Sequence, residues 1–425
     1  MRLARAILRI GALATVCWGL LAAGCAVLAG VLLPGYAGPA VAVVLLGFAA
    51  VPLWRFHRIV PPASPTVPLE GGEHSELSLI VRQISAALGV PTPAAVELSP
   101  DCDAWLEPRI GGPVLVVGTP FLWWLRVSEL RGLLAPVVAG LELAHDPAVV
   151  RARRLVRRLD LAEERGCAPW PRRVLALVSE RCRNKAEGME RVIAAEASQR
   201  ARIVEPAGRV YAHEQVGLVA AAWDRLLTRL AYPAWDAGHA PNALNAALVA
   251  ALVELGERDR VGVGLADRLS ERPGCDLLDE PGEVDRAVSA IVPIVYQGRP
   301  VERPLEWDDY TRLVAEPILR RAAAAAPDHP LVAKTRALLL APAPSTTIGP
   351  IGDAADGELP AGLRAVLQCG LVDLGYAAFA VDWLDGVILR DQAGLTVPVD
   401  EIVHALVDFS DFTPLRDWLS YAARL

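Results

Sequence analysis

Lysine is almost missing from this chain: of 42 basic residues only Lys185 and Lys334 are lysine, and the rest are arginine. Together with abundant alanine, this bias has the look of a GC-rich coding sequence, so arginine clusters here carry less weight than usual. Cysteine is sparse and scattered. The 7 cysteines form no Cys-x-x-Cys pair and no disulfide framework, and they fit a reduced, cytosolic compartment. No Gly-x-Ser-x-Gly elbow and no phosphate loop occurs, so the motif evidence for a serine hydrolase or a P-loop enzyme is missing. Gly262-Val263-Gly264 lacks the strand and third glycine of a dinucleotide fingerprint and reads as a turn. The acidic run 276–285 lacks calcium-loop spacing and reads as a loop and helix start. A surplus of positive charge is missing too: net charge is −7 and the pI about 5.6, which argues against a nucleic-acid partner.

What is present is apolar. The hydrophobic fraction is 53% and mean hydropathy +0.34, both high for a soluble chain. Ile10–Leu33 is a 24-residue stretch without a charge, enough to cross ~30 Å of hydrocarbon as a helix. After a loop at 34–39, Ala40–Trp54 is apolar again, reaching 19 residues when counted from Tyr36. Arg2, Arg5 and Arg9 flank one end of this hairpin, and Arg55 and Arg58 the other. The positive-inside rule predicts a two-span protein of the cell membrane with both termini in the cytoplasm. Trp54 and Phe56 suit an interfacial belt. Leu21–Cys25 has the look of a lipobox with Cys25 as a lipid anchor, but Ala22 replaces the usual larger aliphatic and the chain stays apolar afterwards.

Residues 61–68 are proline-rich and predict a stiff linker. Leu77, Ile80, Val81, Ile84 and Leu88 stand at helical spacing within Ser75–Leu88. Strands are expected at Ala95–Ser99 and Pro113–Val117, with a turn at Pro100–Asp103. The stretch up to Asp146 predicts a buried helix starting at Ser128-Glu129, because Leu130, Leu133, Leu134, Val137, Val138, Leu141 and Leu143 wrap most of its circumference. Arginines at 151, 153, 154, 157 and 158 alternate with Leu155, Val156 and Leu159: either a basic helix on anionic lipid or a solvated helix face. Further helices are expected within 215–255 and Glu306–Ala326. Two β-like runs around Gln392-Ala393-Gly394 predict a hairpin over 386–398.

The order of these elements resembles the membrane-bound zinc metallopeptidases of the heat-shock and CAAX prenyl protease type. In that family a helix, a Gly-Val-Pro link, a strand, an Asn-Ala-Phe segment and a second strand precede a helix carrying His-Glu-x-x-His. Here Asp103-Ala104-Trp105 occupies the Asn-Ala-Phe place, and Glu129, Leu130, Leu133, Leu134, Ala135 and Asp146 hold the frame of the metal helix. The five motif positions fall on Pro136, Val137, Val138, Ala139 and Gly140. In the family two imidazoles one turn apart hold zinc, and the glutamate is general base for its water. The third ligand, a Glu on a later helix, aligns with Ala194, with Glu196 two residues off.

The resemblance implies an α+β, predominantly helical fold. The resemblance covers Ser75–Asp146 closely and Arg151–Leu230 loosely, and the tail shows none of it. With the hydropathy and linker signals, the chain divides into a transmembrane hairpin (1–58), a linker (59–74), a degenerate gluzincin-like metallopeptidase domain with a small sheet (75–260), a helical extension (261–340), a linker (341–358) and a small α+β module (359–425). The first expectation for function is a pseudoprotease: membrane-tethered, without catalysis or cofactor, binding a protein or peptide in the cytosol. The second is a zinc metalloendopeptidase with atypical ligands drawn from Glu142, His145, Asp146, Glu196, His213 and Glu214. The third is a structural membrane protein in which the tail is an assembly module. Gly132, Pro136 and Gly140, four apart, form a smooth stripe. That stripe predicts that helix 191–204 closes over the vacated metal cavity, leaving a strand edge such as Pro113–Val117 for peptide binding.

Overall fold

Two helices long and apolar enough to cross a membrane open the chain: α1 (Arg2–Leu32) and α2 (Ala37–Arg58). The computed structural model describes residues 2–32, 37–109, 111–166, 170–258, 271–325, 329–340 and 359–424. The expected linker at 341–358 and the turn at 262–264 lie outside the described residues. Only part of α1 is shaped for lipid. Ala4, Ile7 and Gly11 are buried against helices α7 (Pro147–Arg165) and α8 (Arg172–Arg200), whereas Leu20, Val27, Leu28 and Val31 stand exposed. A side chain at Gly11 would meet Leu155 of α7 at 2.5 Å, so glycine permits this close approach. Phe56 belongs to the same core, edge-on to Trp170 at 5.2 Å. It is therefore not the interfacial belt residue expected; Trp54 is exposed, with Arg58 stacked over it.

The small sheet follows. It has the order β1-β2-β4-β3, with β1 at Val67–Pro68, β2 at Ala95–Ser99, β3 at Ala104–Arg109 and β4 at Gly112–Gly118. Strand β4 runs parallel to β2 and antiparallel to β3. Strand β3 is not expected from the sequence, where Glu107 and Pro108 break an apolar alternation. The edge expected at Pro113–Val117 is corrected: β4 is interior, and Leu115, Val116 and Val117 are fully buried. Helix α3 (Glu76–Leu88) packs Leu77, Val81 and Ile84 into the core, is capped by the Ser75 hydroxyl on the Ser78 N–H, and stops at Gly89 with φ of 66°.

The long frame helix is three pieces. Helix α4 (Thr119–Trp124) leads into α5 (Val127–Ala139); α6 (Leu141–Ala144) is a single turn, and the chain then bends by 102° into α7. The start moves as well. Arg126, not Ser128, precedes the helix, and its N–H is held at 2.9 Å by the Glu129 carboxylate. The continuous helix expected from apolar periodicity runs through Pro136, is interrupted at Gly140 and ends at Ala144, after which Asp146 caps α7. Helix α9 (Pro206–Leu226) crosses α5 where two glycines meet. A Cβ on Gly132 would lie 2.5 Å from the Arg209 nitrogen, and one on Gly208 2.4 Å from the Ser128 carbonyl oxygen.

One core joins the sheet, α3, α5, α9 and α11 (Leu244–Arg258) to the helix Pro281–Gln297 and reaches Ala315. The tail has its own core, from Leu331 to Leu415. It touches the first where Trp383 stacks edge-on against Trp307 at 5.0 Å. Its hairpin pairs β7 (Ala377–Asp382) with β8 (Gly386–Asp391). The expected pairing across Gln392–Gly394 shrinks to a single bridge, Arg390 with Thr396, since β8 finds a longer partner upstream. The architecture is thus mostly helical with small sheets and two apolar N-terminal helices.

Candidate functional site

Residues far apart in sequence line one cavity of about 590 Å³. Helix α5 contributes Pro136, Val137 and Gly140; α8 contributes Ile193, Ala194 and Ala197; β3 contributes Ala104, Trp105, Leu106 and Pro108. Pro136, Val137, Gly140 and Ala194, the positions that the resemblance sets against the two motif ligands, the base and the third ligand, thus line one cavity. Val138 and Ala139, the two middle positions, point into the core and are fully buried. The cavity has the size of an ordinary ligand cleft.

The donor set does not fit zinc. Proline, valine, glycine and alanine carry no side-chain lone pair to offer a metal, and none can act as a base. The alternative ligands are elsewhere or occupied. Glu142 and Glu196 both pair with Arg200, Glu196 at 2.9 Å. The Nδ1–H of His145 faces the Leu141 carbonyl oxygen at 2.8 Å, closing the last turn of α6. Asp146 accepts the Ala148 N–H at 2.7 Å and so starts α7. His213 and Glu214 lie exposed on α9. Among the described residues no group of three or more His, Cys, Asp or Glu side chains is placed to hold a metal ion.

One wall of the cavity is a strand edge. Among the described residues β3 pairs with β4 only. The Gly118 N–H donates to the Asp103 carbonyl at 2.8 Å, which fixes the alternation along the ladder. Trp105, Glu107 and Arg109 thus bond toward β4, while Ala104, Leu106 and Pro108 face outward. Proline at an outward position costs no ladder bond, which is why a strand tolerates Pro108 there. The Ala104 N–H is taken at 2.7 Å by the Asp103 carboxylate. That leaves the Leu106 N–H and C=O, with the flanking carbonyls of Ala104 and Pro108, as the bonding groups of this edge.

The rim is charged. Arg153 of α7 grips Glu190 of α8 through two bonds of 2.7 and 2.6 Å, and Arg157 stands beside them. Next to the wall, burial and then the Asp101 and Asp103 carboxylates push the Cys102 thiol far above its ordinary range. Sequence reasoning missed Leu106 and Pro108 as functional positions. Pro108 itself was the available signal, since a proline within a strand marks an edge.

Compared with protein families, curated proteins and solved structures, the chain matches none.

Proposed function

We propose that this chain is a membrane-tethered, non-catalytic metallopeptidase-like protein whose cleft binds an extended segment of a protein or peptide. The observation that carries this reading is the convergence of Pro136, Val137, Gly140 and Ala194 on one cavity beside a strand edge that is unpaired among the described residues. Ala194, more than fifty residues along the chain from Gly140, lines the same cavity as the three helix positions, which supports the reading. An extended peptide laid along β3 would exchange backbone bonds with Leu106, and its side chains would enter the apolar space between Trp105, Val137 and Ala194.

Helices α1 and α2 supply the tether in this reading, and residues 55–425 lie in the cytoplasm. The arginines on both flanks of the hairpin support that orientation. The peptidase chemistry has no residues to perform it, so zinc analysis of the purified full chain tests the non-catalytic reading. The expected result is no stoichiometric zinc and no casein cleavage. One zinc per chain, lost together with casein cleavage in His145→Ala, would establish the enzyme reading instead.

A further inference from the structure

A second cavity, about 830 Å³, lies between the segment 60–63 that leaves α2, the end of β3 and one face of α7. Arg109, Arg153, Arg154, Arg157 and Arg158 line it against a single carboxylate, Glu107. Several of these arginines are already engaged. Arg153 is held by Glu190, and Arg109 by Glu97 and Glu107. Arg157 reaches Glu107 only at 3.9 Å. Arg158 spends its Nε on the Ile59 carbonyl at 2.9 Å, which fixes α7 to the exit of α2. Arg154 makes no hydrogen bond or ion pair among the described residues.

Arg154 and Arg158 are four apart on α7 and share one face, with Arg157 beside them. Two like charges at this spacing repel. Burial, then the neighbouring Arg154, push Arg158 below its ordinary pKa. An anion seated between the forks would remove that repulsion and bond both guanidinium planes, the geometry in which arginine binds phosphate. The cavity begins at Val60, two residues beyond the end of a helix long and apolar enough to span a membrane. Val60 is 79% exposed, so an apolar side chain stands at the mouth of a basic pocket. A soluble anion gains nothing from that neighbour. A phospholipid does, because its glycerol and acyl chains continue along α2 while its phosphate enters the pocket.

We propose that this pocket binds the phosphate of an anionic phospholipid headgroup at the cytoplasmic membrane surface, with Arg154, Arg157 and Arg158 as its ligands. The proposal rests on the membrane tether of the proposed function, and flotation of the chain with neutral phosphatidylcholine vesicles tests that tether separately. The pocket is tested on the full chain in detergent by titrating short-chain phosphatidylglycerol, short-chain phosphatidylcholine and inorganic phosphate, with bound ligand counted by native mass spectrometry.

Phosphatidylglycerol is expected to bind one per chain and more tightly than the other two probes. Arg154→Gln should weaken it about fivefold, and Arg154→Gln with Arg157→Gln about twentyfold, near the usual contribution of a basic residue at an anionic surface. Arg183→Gln, which removes a guanidinium paired with Asp160 and Glu163 outside the pocket, should leave it unchanged. Arg154 is exposed and without a partner among the described residues, so its single variant folds whatever the double variant does. Equal binding by Arg154→Gln and the unaltered chain would overturn the proposal. Inorganic phosphate binding as tightly as the lipid, with the same loss in Arg154→Gln, would overturn the lipid assignment in favour of a soluble anion.

Discussion

A Cβ placed on Gly140 lies 3.9 Å from the Cβ of Ala197, in ordinary contact, whereas a Cβ on Gly132 falls within 2.5 Å of the Arg209 backbone. The two glycines of one stripe therefore do different things. Gly132 lets α9 cross α5 at close range. At Gly140 helix α8 approaches α5 through the buried Ala197, as the stripe predicts, but the two do not fill the cavity beside them, which corrects the expectation that helix 191–204 closes it.

Stability should separate the two positions. Gly132→Ala forces two backbones apart and is expected to cost about 1–3 kcal/mol. Gly140→Leu places its side chain in the open cleft and should change stability by less than about 1 kcal/mol. Thermal melts of both full-length variants check this; a large loss in Gly140→Leu would mean the cleft is closed.

A buried carboxylate is the next expected weak point. Asp285 accepts the Asn245 side chain at 2.8 Å, the Asn245 N–H at 3.0 Å, the Ala246 N–H at 3.0 Å and the Ser289 hydroxyl at 3.2 Å. It thereby caps α11 from the helix Pro281–Gln297. Asp285→Ala should cost on the order of 3 kcal/mol, because several buried donors lose their acceptor together. A denaturant titration showing a loss below about 1 kcal/mol would remove this cap from the account.

Membrane topology can be read with introduced cysteines. The native thiols are poor reporters: Cys102 and Cys369 are both pushed upward by burial, and Cys167 lies outside the described residues. In Tyr36→Cys an impermeant maleimide should react on intact cells. In Asn184→Cys, exposed on α8, it should react only after lysis. Labelling of Asn184→Cys from outside would invert the orientation and revive the reading of Cys25 as a lipid anchor.

The parts of the fold legible in the sequence are those with a single strong periodicity or a chemical cap. Ala95–Ser99 and the capped helix after Ser75 are two such cases. The first third of α1 was not legible, since a stretch apolar on all sides hides the face, Ala4, Ile7 and Gly11, that packs on protein. Strand β3 hid behind Pro108 and a buried Glu107, whose carboxylate accepts the Ser64 N–H at 3.1 Å. Of the cleft, the alignment placed Pro136, Val137, Gly140 and Ala194, but not its strand wall. Edges are set by which strands pair across the chain, and Pro108 is the one local sign of that here.

Binding of an extended peptide in the cleft beside β3 is decided by one affinity comparison. Peptides selected from a random library on the full chain in detergent are titrated against the unaltered protein and against Gly140→Leu. Saturable binding is expected, weakened at least about tenfold by Gly140→Leu, with the melting temperature retained. Peptides that bind the blocked variant as tightly as the unaltered chain, or a library that yields no binder at all, would contradict it.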